Sequence, residues 1–324
     1  MNTLIPLITN PAIISLCIGF AVGVLALFEV PARISTIVSL YLVFCIGFKG
    51  GMCLGVTNAC SSPLYSLIFA GIGIGFLQPF LYFWVLKKIA NLDRQTQIVV
   101  AAQYGSISIV TFVTAMTFLQ QQATAYGTFM PAVAGIMELP ALFSGMLLIK
   151  GLHPRGESLL HACAMIIKEI LLSKKISFIF IGFFVGFLLR NYQECTVTTA
   201  ILWPFTALLV LFMIDIGIKI AQQRAYIHEF TWSLIAFGLY VPIISGLASL
   251  GVCYALHATV GTATLFAALI ASASYIAVPA VMHTQAPQAK EVIYLPLSLA
   301  ITLPFNVLGG IPLFYYVAQY LLVA

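Results

Sequence analysis

The stretch AAQYGSISIVTFVTAM (Ala101–Met116) lies in a run apolar enough to cross a bilayer, yet it opens with a glutamine, a glycine and two serines. A lone serine in a membrane helix usually bonds back to its own backbone. Here the interruption has a counterpart far down the chain, ALIASASYIAVPAVM (Ala268–Met282), which is again small and serine-bearing and carries Pro279. Sliding the chain by 166 positions places Ala101, Ala102, Ser106, Ser108 and Met116 on Ala267, Ala268, Ser272, Ser274 and Met282. The same shift places Gly51 on Gly217, and a shift of 164 places Leu139-Pro140 on Leu303-Pro304. A near-constant offset over three segments points to a duplication.

The surrounding chain is of one kind. Of 324 residues, 62% are hydrophobic and 7% charged, against about 25% charged in ordinary soluble domains, and the mean hydropathy is +1.09. Apolar runs long enough to cross the hydrocarbon core recur almost throughout. Ten are expected, near 12–28, 34–56, 63–87, 98–118, 128–149, 176–190, 200–220, 231–256, 262–282 and 293–322. The first lacks a basic leader and reads as a retained helix, not a signal peptide. The fold class is therefore an all-α integral membrane protein of about ten transmembrane helices. The division is 1–149 as a first five-helix repeat, 150–175 as a cytoplasmic linker with an interfacial amphipathic helix, and 176–324 as a second repeat. Five spans per copy is an odd number, so the second copy must insert upside down, as in secondary transporters.

Orientation follows from the basic residues. With the N-terminus outside, the inner loops hold Arg33, Lys87, Lys88, Arg94, Lys150, Arg155, Lys168, Lys174, Lys175, Lys219, Arg224 and Lys290, twelve of the 14 Lys and Arg. That bias places both termini outside, and the net charge of +5 then needs no nucleic acid. The seven cysteines are scattered without metal spacing and read as apolar fillers; Cys60 and Cys195 fall in outer loops.

The paired interruptions are expected to break the fourth and ninth spans near mid-membrane. Pro279 suits the first turn of a helix, so the ninth span is expected to unwind around Ser274–Ala277 and restart there, while Gly105 is the weak point of the fourth. In antiparallel spans the outgoing half-helices would point their N-termini at each other, each with unpaired N–H groups and a partial positive charge. Irregular backbone at that depth needs protein or a watery cavity around it. Ser106, Ser108, Ser272 and Ser274 are then candidate ligands of a small anion; the bland alternative is that small residues let helices pack closely.

Ionisable residues within spans are few and costly. They are Lys49, Glu138, Asp215 and Lys219. Lys49 falls on Asp215 at the 166 shift and is a candidate to pair with it, Lys219 is expected to snorkel to the inner surface, and Glu138, beside the broken fourth span, is the best candidate to face a coupling cation. The pairs Gly47/Gly51, Gly51/Gly55, Gly71/Gly75 and Gly182/Gly186 suggest close helix contacts, not a nucleotide loop.

Taken together, IGFKGG (Ile46–Gly51), YGSISIVTF (Tyr104–Phe112), MELPAL (Met137–Leu142), IDIG (Ile214–Gly217), ASASYIAVPAVM (Ala271–Met282) and LPFNVLGGIPL (Leu303–Leu313) give the chain a resemblance, over nearly its full length, to the SbtA-like sodium-dependent bicarbonate permeases. The resemblance implies ten helices in two inverted halves, a homotrimer in a bacterial plasma (inner) membrane, and an elevator-like core carrying bicarbonate and Na⁺ at two crossing broken helices. It places Gly105, Ser106, Ser108, Ser272 and Ser274 in the anion site, with Tyr275 beside it. Na⁺ is the implied coupling ion, with Glu138 and Asp215 as its candidate ligands and no other cofactor. A soluble cytoplasmic regulatory protein is an implied partner of some members. Two positions depart from the pattern: cyanobacterial bicarbonate carriers of this kind have aspartate where this chain has Glu138 and Tyr275. The alternatives are a proton-coupled carrier of another small anion and an anion channel. A membrane-embedded enzyme is disfavoured, since the chain has only Asp93 and Asp215 as aspartates and its five histidines sit in loops or near span ends.

Overall fold

A computed structural model describes residues 11–28, 30–53, 62–150, 174–191, 196–223, 230–275 and 277–323. The expected linker helix, Cys60, Cys195 and Gly55 lie outside the described residues. Among those described, every regular element is helical. Seven helical segments are long and apolar enough to cross a membrane, and three shorter apolar helices, Ile13–Val24, Ser177–Leu188 and Val260–Ile270, fall in the remaining expected spans.

In chain order the elements are α1 (Pro11–Val24), α2 (Ala32–Cys53), α3 (Ser62–Ile89), α4 (Arg94–Gly105), α5 (Ile109–Gln121), α6 (Met130–Lys150), α7 (Lys174–Leu188), α8 (Thr196–Leu202), α9 (Phe205–Gln223), α10 (Trp232–Ala255), α11 (Val260–Ile270) and α12 (Ala277–Gln285). The last run begins as α13 (Glu291–Pro296), passes through π-helical turns at Leu297–Thr302 and Asn306–Gly310 around α14 (Leu303–Phe305), and ends as α15 (Ile311–Val323). Pro204 separates α8 from α9, as expected of a residue without an N–H.

The most extensive packing is between α2 and α7 and between α1 and α9, and glycine makes both possible. A Cβ on Gly47 or Gly51 of α2 would strike the carbonyls of Ile179 or Phe183, and one on Gly182 or Gly186 of α7 would strike those of Phe44 or Phe48. In the other pair, Gly19 meets the Ile214 carbonyl and Gly217 meets that of Leu16. With lipid as apolar as the side chains, such close approach is what holds helices together. Gly71, by contrast, lies against the Met137 side chain of α6.

The broken fourth segment occupies the centre. The window around α4 and α5 is 100% buried, whereas those of α3 and α10 are 28% and 33% buried. Those two outer helices carry exposed Phe69, Leu77, Leu81, Trp84, Tyr240 and Ile244, the composition of a lipid-facing surface. Hydrogen bonds tie the ends of the two broken segments. At one end Asp93 caps α4 by accepting the N–H of Thr96 at 2.9 Å, and Thr96 Oγ1 accepts the N–H of Lys290 at 2.8 Å. At the other, Thr262 Oγ1 of α11 accepts the N–H of Gly127 at 2.9 Å.

The intramembrane charges differ in two respects from the sequence reading. Asp215, 2% exposed, pairs with Lys219 at 2.6 Å and accepts the Ser35 hydroxyl at 2.6 Å. Lys219 therefore turns back along α9 instead of snorkelling, because a carboxylate one turn away is the nearer counter-charge. Lys49 lies with its ammonium 4.4 Å from the centre of the Phe205 ring, on a different partner from Asp215.

A candidate anion site where two broken helices cross

Helix α4 stops at Gly105, where Ser106 turns extended at φ −103° and ψ 159°. Two residues later Ser108 starts α5, and its Oγ accepts the N–H of Thr111 at 3.3 Å, the position a cap should serve. The second break is longer. Helix α11 stops at Ile270, the residues 271–275 are not helical, and α12 restarts at Ala277. The ninth segment thus unwinds earlier than its sequence suggested. Pro279 falls in the first turn of α12, where its missing N–H costs nothing. Ser274 Oγ accepts the N–H of Val278 at 3.4 Å.

The breaks are bound to each other. The Ser274 N–H donates to the Gln103 carbonyl at 2.9 Å, and the Ser108 N–H donates to Ser272 Oγ at 2.6 Å. Ser272 donates in turn to the Leu269 carbonyl at 2.7 Å, so its hydroxyl is engaged as both donor and acceptor. Ser108 and Ser274 differ: each hydroxyl accepts from its own helix and keeps its hydrogen to donate. The first-turn N–H groups of Ile109 and Val110 have no intrahelical acceptor either.

Ile107, Ser108, Ile109, Glu138, Ser274 and Tyr275 enclose a cavity of about 10 Å³, the scale of a single water. Glu138 is 3% exposed and reaches it from α6. The Tyr275 ring is buried at its edge, its hydroxyl beside Ser108 without a hydrogen bond of good geometry. The structure thus brings Ser108, Ser274, Tyr275 and Glu138 together, with Ser272 bridging behind them. Asp215 stands apart, held by Lys219 and Ser35. Gly105 serves packing, since a Cβ there would collide with the Pro79 ring of α3.

Two polar residues, Gln103 and Asn306, were not assigned to the site from sequence. Gln103 is fully buried and both its amide atoms lack partners, as does the Ser106 hydroxyl. Asn306, 1% exposed, donates from Nδ2 to the Ala271 carbonyl at 2.8 Å, satisfying a carbonyl freed where α11 ends, and its Oδ1 has no partner. It sits on a π-turn, a feature common at functional sites. Each buried polar atom left unsatisfied costs about 1–3 kcal/mol. The signals were present as single amides within otherwise apolar runs, YGS preceded by Gln103 and LPF followed by Asn306.

A family model described as the Na⁺-dependent bicarbonate transporter superfamily matches residues 11–319. The chain belongs to that superfamily. No match was found among curated proteins. Membership in the Na⁺-dependent bicarbonate transporter superfamily and the apolar helices together make it an integral membrane protein of a transporter family.

Proposed function

We propose that the chain is a Na⁺-coupled carrier of bicarbonate that works by alternating access, with the crossing of the two broken helices as its site. The observation that carries this reading is the crossing itself. Two serine hydroxyls with spare hydrogens, two first-turn amides and one buried carboxylate meet at a helix break inside the fully buried fourth segment. Donors and a helix N-terminus favour an anion; Glu138 favours a cation beside it. In a poorly solvated site each ion lowers the cost of the other. Tyr275 adds a phenol where an aspartate would add charge, so Glu138 is the carboxylate that holds Na⁺, and the coupling is weaker than two carboxylates would give.

Bicarbonate fits this polar set better than a proton-free anion. It carries a hydrogen that needs an acceptor as well as oxygens that need donors; the Ser108 and Ser274 hydroxyls supply donors and the Glu138 carboxylate an acceptor at the same cavity. A cavity of about 10 Å³ is too small for bicarbonate, so this conformation is closed at the crossing and must open to load. The pairing of α2 with α7 and of α1 with α9, with Gly51 and Gly217 in like contacts, supports reading the halves as inverted repeats that rock or slide against each other.

The test is uptake of labelled bicarbonate by liposomes holding the purified protein, alongside nitrate, formate and chloride, with and without an imposed Na⁺ gradient. Na⁺-driven, saturable bicarbonate uptake supports the reading. Uptake driven by a proton gradient alone, or linear in substrate, transfers it to the proton-coupled carrier or to the channel.

A further inference from the structure

A larger cavity, of about 450 Å³, lies between the two outer helices, α3 and α10, and reaches the end of α11. From α3 it is lined by Ile74, Gln78, Leu81, Tyr82 and Val85, at spacings that make one stripe of a helix. Val241, Ser245, Ala248 and Val252 make a matching stripe on α10. Its rim carries the exposed Leu81 and Ile244, so it is a groove in the lipid-facing surface. The polar residues of the wall are engaged within the protein. Gln78 Nε2 donates to the Tyr82 hydroxyl at 2.8 Å, Ser245 to the Val241 carbonyl at 2.8 Å and Ser249 to the Gly246 carbonyl at 2.7 Å. Ile270, the last residue of α11, closes the floor, its carbonyl 3.5 Å from both Gln78 Nε2 and Ser245 Oγ. An occupant therefore meets apolar surface and little that needs a hydrogen bond.

One end of the groove is charged. Helix α3 continues past Val85 to Lys87 and Lys88, both exposed, in its last turn. The Lys88 ammonium lies 3.5 Å from the centre of the Trp84 ring. Tryptophan marks the membrane interface and lysine reaches toward it. From Lys88 back to Gln78 is ten residues, about 15 Å of helix. That is the hydrocarbon depth of one leaflet, about half of 30 Å. A chain hung from a headgroup at Lys87 and Lys88 thus reaches the Ile270 floor.

We propose that this groove is the site of an anionic phospholipid, with an acyl chain lying between α3 and α10 and the headgroup at Lys87 and Lys88. Bilayer hydrocarbon already surrounds these helices; what selects one lipid for residence is the concave fit joined to charge at its end. The chain covers the end of α11, where the second break begins, and closes that side of the crossing to water. The inference does not depend on which ion the crossing carries.

The test uses the purified full chain in neutral detergent, given phosphatidylglycerol or phosphatidylcholine with the same acyl chains, and reads the lipid retained in native mass spectra together with Tm. The native protein should retain phosphatidylglycerol and gain several degrees in Tm, and should hold phosphatidylcholine more weakly by about fivefold for each lysine. Lys87→Gln combined with Lys88→Gln should bring phosphatidylglycerol down to the phosphatidylcholine level. Ala248→Trp, at an exposed position of the wall, fills the groove and should abolish retention and the Tm gain for both lipids. Ile244→Trp at the rim should do the same, and serves if Ala248→Trp does not fold. Leu77→Trp, exposed beside the groove, should change neither readout. Equal retention of the two lipids by the native protein, or native-like retention of phosphatidylglycerol by a well-folded groove-filling variant, overturns the proposal. So does an equal Tm gain from a neutral amphiphile of the same chain, which would make the groove a slot for any hydrocarbon.

Discussion

The main chain of Ser274 is hydrogen-bonded to the main chain of Gln103, N–H to carbonyl at 2.9 Å, across two segments that each interrupt a membrane helix. With the bond from Ser108 to Ser272 it makes the two breaks one unit. Neither break is a defect of a single helix; each satisfies groups that the other exposes. That mutual satisfaction is what allows non-helical backbone to sit in a buried part of a membrane protein.

Ser272 and the pair Ser108 and Ser274 should therefore separate on mutation. Ser272→Ala strands the Ser108 N–H and should lower stability by about 1–3 kcal/mol, read as a drop in Tm of the purified protein. Ser108→Ala and Ser274→Ala remove a cap and a donor each, and should weaken substrate binding by about 1.5–3 kcal/mol if the anion is fully engaged. Equal effects of all three on Tm, with affinity unchanged, would make them packing residues alone.

Asp215 should be dispensable for cation coupling. Its carboxylate is committed to Lys219 and Ser35, so Asp215→Asn should cost stability of the order of 1–3 kcal/mol and leave the Na⁺ dependence of uptake intact. A lost Na⁺ dependence in well-folded Asp215→Asn would restore it as a ligand.

The glycine contacts predict a sharp contrast. Gly51→Ala and Gly217→Ala put a methyl group into the carbonyls of Phe183 and Leu16, whereas Gly73 has nothing within 4 Å of an added Cβ. Gly73→Ala should be neutral or slightly stabilising through helix propensity, by up to about 1 kcal/mol. The other two should abolish or severely reduce folded protein, measured by monodispersity after extraction in detergent.

Among the described residues, three helix ends are terminated in the left-handed region without glycine. Ala26 follows α1 at φ 51°, Ala123 follows α5 at φ 49° and His257 follows α10 at φ 51°. Ala123→Gly relieves the steric cost of a Cβ there, about 1 kcal/mol, and should raise Tm by a few degrees. A fall in Tm would mean that the Ala123 methyl group contributes more by packing than it costs.

Much of this architecture was legible because membrane helices announce themselves by length and hydropathy, and because the serine-bearing breaks repeat at one offset. The position of Glu138 beside the broken fourth segment was readable from its place in the next span, before Leu139-Pro140. What the sequence hid was partnership. Nothing in the spacing distinguishes Ser272, which is engaged as both donor and acceptor, from Ser274, which keeps a hydrogen. The aligned positions of Lys49 and Asp215 suggested an ion pair, but Lys219 one turn along α9 is the closer partner and Phe205 meets Lys49. Gln103 and Asn306 are single polar residues in apolar runs, and only their burial without full satisfaction singles them out.

The measurement that tests the central claim most directly is bicarbonate uptake into liposomes under an imposed Na⁺ gradient, with the native protein beside Glu138→Gln. The native protein should accumulate bicarbonate against its gradient when Na⁺ is high outside, since an anion entering alone works against about 2.3 kcal/mol for each 100 mV of inside-negative potential. Glu138→Gln, which keeps the shape and removes the charge, should bind or exchange bicarbonate but lose Na⁺-driven accumulation. A Glu138→Gln protein that accumulates bicarbonate as steeply with Na⁺ as the native one would contradict the account.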